Sequence, residues 1–259
     1  MSVLERILAV KRTEVAALRR APGEAELSAR AARADAPRGF ARALRTGGAP
    51  RVIAEFKRAS PSRGEIRPGA DPAGIARAYQ EAGAVALSVL TDREFFRGEL
   101  DDLRRARAAC RIPVLRKDFT IDPLQLVEAR GAGADAALLI VAALEDGQLR
   151  ELLACARELA LDALVEVHDE PELERALACG GELIGINNRD LRDFKTDVGV
   201  TRALLPRAAG RTVVSESGLD APETLRALAA EGASAFLIGE ALMRAPDPGA
   251  ALRRLRGVV

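Results

Sequence analysis

The stretch Pro113-Val-Leu-Arg-Lys-Asp-Phe-Thr-Ile-Asp-Pro-Leu-Gln-Leu-Val-Glu-Ala-Arg-Gly-Ala-Gly-Ala-Asp-Ala-Ala-Leu-Leu-Ile-Val141 holds one full repeat of the chain's architecture. An apolar run, 113–118, gives way to Asp122-Pro123; Gly131 then closes a segment of helical spacing, and a second apolar run follows at 136–141. Proline's fixed φ suits the first turn of a helix and glycine suits its end. Near-continuous apolar runs of this length mark strands covered on both faces, as parallel strands are. Working outward, eight such runs occur: 51–56, 85–90, 113–118, 136–141, 162–167, 183–188, 212–217 and 235–240. Their starts are 34, 28, 23, 26, 21, 29 and 23 residues apart, room for a strand, a helix and two loops. Further helix openings stand at Asp71-Pro72, Glu170-Pro171 and Asp220-Ala-Pro222, with Gly180 and Gly232 near helix ends. The even spacing and the length of 259 residues predict an α/β fold, an eight-stranded parallel β/α barrel of the TIM type, over a large open sheet.

Residues 1–50 carry Leu4, Ile7, Leu8, Val15 and Leu18 at helical spacing and are read as an N-terminal helical extension capping the barrel of residues 51–259, all in one domain. The segment 248–259 is read as the last outer helix. The pattern Gly131-Ala-Gly133-Ala-Asp-Ala136 resembles a dinucleotide fingerprint but ends a helix and enters a strand, the reverse of what nucleotide binding requires.

Composition narrows the function. Lys plus Arg total 39 against 38 Asp plus Glu, so a net charge of +1 gives no electrostatic case for binding nucleic acid or an anionic membrane. Three dispersed cysteines and one histidine suggest neither a disulfide framework nor a zinc site, and a reducing cytoplasm is the expected location. Charged residues from Glu5 to Glu14 argue against a signal peptide, and the longest uncharged apolar run, 136–144, is too short to span a bilayer.

In β/α barrels chemistry sits at the C-terminal ends of the strands. There the runs end in Glu55 and Lys57, in Lys117, in Glu166 and His168, in Asn187 and Arg189, and in Glu216 and Ser217. Alternation puts Glu55 with Lys57, Glu166 with His168, and Asn187 with Arg189 on shared faces; Glu216 has the opposite parity from Ser215 and Ser217, which leaves its inward orientation open. The chain uses arginine for all but four of its basic positions: Lys11, Lys57, Lys117 and Lys195. Where arginine is the default cation, a lysine at a strand end points to proton transfer or close oxyanion contact, because a compact ammonium can titrate on burial. Lys57 and Lys117 therefore stand out, whereas Lys11 and Lys195 are read as solvated. Gly218, Gly239 and the backbone of Glu240 follow the last two runs, where barrels commonly bind phosphate, and Ser60 lies in a turn-rich loop over the same mouth. His168 is read as structural. Phe95, Phe96 and Phe119 either pack helix against barrel or wall a planar ligand.

Six motifs carry a family resemblance: Val52-Ile-Ala-Glu-Phe-Lys-Arg-Ala-Ser-Pro-Ser-Arg-Gly64, Leu115-Arg-Lys-Asp-Phe119, Leu164-Val-Glu-Val-His168, Ile184-Gly-Ile-Asn-Asn-Arg-Asp-Leu191, Val214-Ser-Glu-Ser-Gly218 and Ile238-Gly-Glu-Ala-Leu-Met243. In order and along nearly the whole chain, they resemble the indole-3-glycerol phosphate synthase family. The resemblance implies a metal-free, cofactor-free barrel of tryptophan biosynthesis. Its substrate is 1-(2-carboxyphenylamino)-1-deoxyribulose 5-phosphate, closed to indole-3-glycerol phosphate with loss of carbon dioxide and water. By the same resemblance Lys117 would be the general acid and Glu166 would assist dehydration, with Glu55 supporting proton transfer and orientation, and Lys57 a further catalytic residue that would bind phosphate or carboxylate and could share the acid role. Asn187 and Arg189 would hold the anthranilate part and hydroxyls, Glu216 and Ser217 would line the site, and Phe96 and Phe119 would flank the ring. Gly218, Gly239 and the Glu240 backbone would cradle the phosphate. Where some family members carry an aromatic residue on the N-terminal helix, this chain has Leu4, Ile7 and Leu8. The expected partner is a phosphorylated small molecule bound by a monomer. The rival readings are another phosphate-binding barrel enzyme, such as the isomerase acting on phosphoribosyl anthranilate, and a non-catalytic barrel that senses phosphorylated metabolites.

Overall fold

A computed structural model describes residues 2–46, 48, 50–190 and 195–258. Leu191 of the fourth motif, Val259 of the expected last helix, and Met1, Gly47 and Ala49 of the extension lie outside the described residues. Each apolar run contains one barrel strand: β1 Val52–Phe56, β2 Ala86–Leu90, β3 Val114–Lys117, β4 Ala136–Ile140, β5 Asp162–Val167, β6 Leu183–Asn187, β7 Thr212–Glu216 and β8 Ala235–Ile238. Neighbours in sequence pair in parallel, and β1 closes the ring on β8 with Val52 opposite Phe236. Inside the ring, Ile53, Ala86, Leu115, Ala136, Leu138, Leu164, Leu183, Val214, Ala235 and Leu237 form one buried cluster, the stacked filling of a barrel interior.

The outer helices begin where the punctuation predicted. Asp71 caps α4 (Pro72–Glu81) through its side chain and Asp122 caps α6 (Pro123–Gly131), each followed by proline in the first turn. Helices α5 (Leu100–Ala109), α7 (Asp146–Glu158), α8 (Glu170–Ala178), α9 (Gly199–Leu204) and α10 (Pro222–Ala230) complete most of the outer layer. The last turn after β8 is α11 (Glu240–Met243), and α12 (Pro248–Arg256) is the last described helix. That final helix stops short of the expected 248–259 because Gly257, at φ 70°, terminates it in the left-handed region.

The N-terminal extension reaches both ends of the barrel. Helix α1 (Val3–Arg20) runs at the C-terminal mouth, where Val3, Leu4 and Ile7 face the central cavity. Helix α2 (Glu24–Arg33) packs against α6. The short α3 (Phe40–Ala43) carries Phe40, which with Leu44 joins the interior cluster of the barrel. This segment is tied to the N-terminal ends of the strands: Asp135 accepts the Arg38 N–H at 2.6 Å, and Asp162 accepts the Ala41 N–H at 2.8 Å.

Candidate active site

The C-terminal mouth encloses a cavity of about 370 Å³. All eight strands line it, five of them (β1, β3, β5, β6 and β7) with a polar side chain, and register decides which side chains reach it. On β7, Val214 points inward with the barrel filling, so Glu216 does too, and it lies level with Asn187 on β6 and Leu237 on β8. The orientation left open by the sequence is thereby settled. Ser215 faces the helices instead, contacting the Thr201 hydroxyl and the Asn188 amide. Ser217 also lines the cavity because its φ of 67° breaks the alternation, followed by Gly218 at 71°.

At the centre Lys117 Nζ lies 2.7 Å from Glu166 Oε2 and 3.1 Å from Glu216 Oε2. Burial opposes the ammonium charge, but Glu166, Glu216 and Glu55 together hold the Lys117 pKa above that of a free lysine. The two carboxylates divide. Burial works against the Glu166 anion too, yet Lys117, His168 and the Asn187 amide, which donates to it at 3.2 Å, keep its pKa below the usual carboxylate range. Burial raises Glu216, and repulsion from Glu166 and Glu55 adds to what Lys117 cannot offset. Two acids of one type in one pocket with pKa values pushed apart are the raw material for separate donor and acceptor roles.

Glu55 Oε1 lies 3.0 Å from Lys57 Nζ, and Glu55 Oε2 accepts the Ser88 hydroxyl at 3.2 Å. Glycine at 239 admits this arrangement, since a Cβ there would collide with the Glu55 carboxylate. The mouth's other side is strongly cationic. The Glu240 carboxylate meets Arg63 at 3.0 Å and both Arg189 and Arg244 at 3.5 Å, beside the turns at Gly218 and Gly239. Ser60 lines the same rim in a small hairpin, Ala59–Ser60 paired with Gly64–Glu65. Phe96 and Phe119 wall the cavity with ring centroids 6.2 Å apart, whereas Phe95 is not part of its lining.

All the strand-end residues singled out from the sequence, apart from His168, therefore line one cavity. His168 sits behind Glu166, with Nδ1 3.0 Å from Glu172 and Nε2 3.4 Å from Glu166. Burial disfavours its charge, but the Glu172 hydrogen bond and the Glu166 charge raise its pKa. Lys195 is exposed as expected, but Lys11 is not solvated. It is 1% exposed and paired with Asp92 and Asp118 at 2.8 Å each. The signal for this was present, because Lys11 lies midway between Ile7 and Val15 on the buried stripe of α1. Arg63 and Arg244 also escaped notice, as nothing in local sequence separates a guanidinium at the mouth from one on an outer helix.

A barrel that turns a lysine and two glutamates toward each other at its C-terminal mouth is equipped for acid–base chemistry, and the chain is a β/α-barrel enzyme. Its fold matches 3-hexulose-6-phosphate synthase with a TM-score of 0.61 at 17% identity, covering 81% of this chain and 99% of that one. It also matches thiamine phosphate pyrophosphorylase from Pyrococcus furiosus, with a TM-score of 0.60 at 17% identity over 80% of this chain and 93% of the other. At such identity the likeness concerns the fold alone. The family model for indole-3-glycerol phosphate synthase matches residues 4–255, and the chain belongs to that family, carboxy-lyases of tryptophan biosynthesis. Indole-3-glycerol phosphate synthase of Bordetella pertussis is 54% identical over 257 residues, 98% of each chain. That of Rhizorhabdus wittichii is 55% identical over 256 residues, 97% of each.

Proposed function

We propose that this cavity closes the ring of 1-(2-carboxyphenylamino)-1-deoxyribulose 5-phosphate with Lys117 as general acid. The observation that carries the assignment is the Lys117 ammonium held between Glu166 and Glu216 at the cavity floor. As the carboxylate-bearing ring carbon attacks the substrate carbonyl, the carbonyl π pair moves onto oxygen and takes a proton from Lys117. The bond to the carboxylate then breaks, its electron pair restores the ring, and carbon dioxide leaves. Lys117 regains a proton from solvent after ring closure. In dehydration it gives that proton to the new hydroxyl, which leaves as water, while the neighbouring carbon loses a proton to Glu166, whose depressed pKa keeps it ionised and which returns that proton to solvent.

The cations answer the substrate's two anionic ends. The phosphate lies against Gly218, Gly239 and the Glu240 N–H, with Arg63 and Arg244 nearby and Lys57 able to reach it. Asn187 and Arg189 hold the carboxylate and hydroxyls, Glu55 orients Lys57, Ser60, Glu216 and Ser217 line the pocket, and Phe96 and Phe119 enclose the ring. The extension, 1–50, and the barrel, 51–259, act as one domain. A cytoplasmic monomer is the reading that suits a biosynthetic enzyme of this family, and among the described residues Val258 is the one exposed large hydrophobic residue; no described helix is long and apolar enough to cross a membrane. Equilibrium sedimentation at the monomer mass checks the monomeric state.

Purified protein mixed with the ribulotide is expected to release the fluorescent indole product, and Lys117→Ala to lower turnover by roughly 10²–10⁴-fold, the usual range for a lost general acid. The variant's circular dichroism should match the wild type. A wild type that binds the substrate yet releases no product would show a binding barrel instead. Full activity in the variant would remove Lys117 from its role.

A further inference from the structure

Lys11 is buried on α1, yet no step of the chemistry above uses it. Its ammonium lies 2.8 Å from Asp92 Oδ2, 2.8 Å from Asp118 Oδ1 and 2.9 Å from Glu14 Oε2. Asp92 is fully buried just after β2, and among the described residues the Lys11 ammonium is the one partner of its Oδ2. Without Lys11 that oxygen would keep no ion-pair partner among the described residues, and Asp118 would keep Arg116 at 3.4 Å. Each aspartate also grips a cavity aromatic by its backbone. Asp92 Oδ1 accepts the N–H groups of Phe95 and Phe96 at 2.7 and 3.2 Å, and Asp118 Oδ1 accepts that of Phe119 at 2.8 Å. Asp118 is also the residue next to Lys117. One ammonium thus joins three walls of the cavity: α1 with Val3, Leu4 and Ile7, the loop bearing Phe96, and the loop bearing Phe119.

We propose that Lys11 is a positioning residue for the aromatic half of the substrate, locking α1 and the two phenylalanine loops into a single wall. The inference rests on the reading of Phe96 and Phe119 as the ring site. The phosphate end, built from the loops after β7 and β8, lies outside this network, so loss of Lys11 separates the two halves of recognition. Lysine is required by shape: a compact ammonium fits between two buried carboxylates, whereas guanidinium needs a wide planar slot. This places three of the four lysines of an arginine-rich chain at the mouth.

The test compares the wild type with Lys11→Met and Lys11→Arg, using anthranilate and inorganic phosphate as separate calorimetric probes alongside turnover. Lys11→Met is expected to weaken anthranilate and raise KM by about ten-fold or more, to change kcat less than KM, and to leave phosphate affinity within about two-fold. Lys11→Arg is expected not to restore anthranilate binding. If Lys11→Met does not fold, Lys11→Met with Asp92→Asn carries the same expectation, since the amide oxygen still accepts the Phe95 and Phe96 N–H groups and no unpaired charge remains at position 92. Equal weakening of both probes, an unchanged KM, or full rescue by arginine overturns the proposal. A wild type that binds phosphate but not anthranilate fails the aromatic reading itself, and the role of Lys11 with it.

Discussion

Glycine at position 185 leaves the space in which the Glu216 carboxylate lies, because a Cβ built there would collide with Oε1 of that side chain. The substitution Gly185→Ala should therefore leave the barrel folded while displacing Glu216 from Lys117. Activity should fall about ten-fold or more with circular dichroism unchanged, and wild-type turnover in the variant would mean that Glu216 tolerates displacement. This constraint was not legible in the sequence, since a glycine in an apolar run has many structural causes. Glu55, Lys57, Lys117, Glu166 and Asn187 were legible, because strand ends are easily found and alternation gives each a face. Alternation also holds the answer for Glu216: the apolar Val214 shares its parity, and the positive φ at Ser217 is what disguised it. Lys11 was missed for a different reason. Its partners come from loops distant in sequence, and only its place on an apolar stripe betrayed burial.

At the scale of elements, the eight strands were readable because parallel strands buried on both faces leave uninterrupted apolar runs, and helix starts were marked by aspartate and proline. What the pattern of residues 1–50 could not give was the division of labour within the extension, with α1 at the mouth and α3 at the opposite end. Phe40 is fully buried among Leu44, Ile53 and Leu115, where it fills the barrel's N-terminal end. Phe40→Ala should cost about 3–5 kcal/mol by lost transfer energy and cavity formation. Denaturant unfolding should show the loss, while kcat/KM of the folded fraction stays near wild type because Lys117 lies at the other end of the strands. A loss of activity without a loss of stability would contradict that separation. The same logic covers Asp135, fully buried and holding the N–H groups of Arg38 and Val114 and the Arg107 guanidinium at 2.6–2.7 Å. Asp135→Ala should destabilise by roughly 3–5 kcal/mol, since Arg107 would be left with a buried charge that has lost its ion-pair partner.

For the whole molecule, the near balance of charge means that the pH dependence of stability between about 5 and 8 is governed by a few buried groups at the mouth. Glu216 is the first of these, its pKa raised by burial, with repulsion from Glu166 and Glu55 adding to the shift. A carboxyl whose pKa is higher in the folded than in the unfolded chain binds more protons when folded. Its contribution is complete below the ordinary glutamate range and is lost as pH rises through the folded value, about 7. His168, raised by Glu172 and Glu166 against its burial, acts in the same direction above the ordinary histidine range. Glu166 is opposed in sign, since a depressed carboxylate adds stability that disappears only as pH falls toward about 2, outside this window. The melting temperature of the wild type should therefore decline from pH 5 to pH 8. Glu216→Gln, which cannot ionise, should flatten the lower half of that slope and leave the upper half to His168. Scanning calorimetry of both proteins in matched buffers reads the difference. A wild type that grows more stable across the window, or a variant with an unchanged slope, would show that Glu216 is ionised throughout and that Lys117 neutralises both carboxylates together.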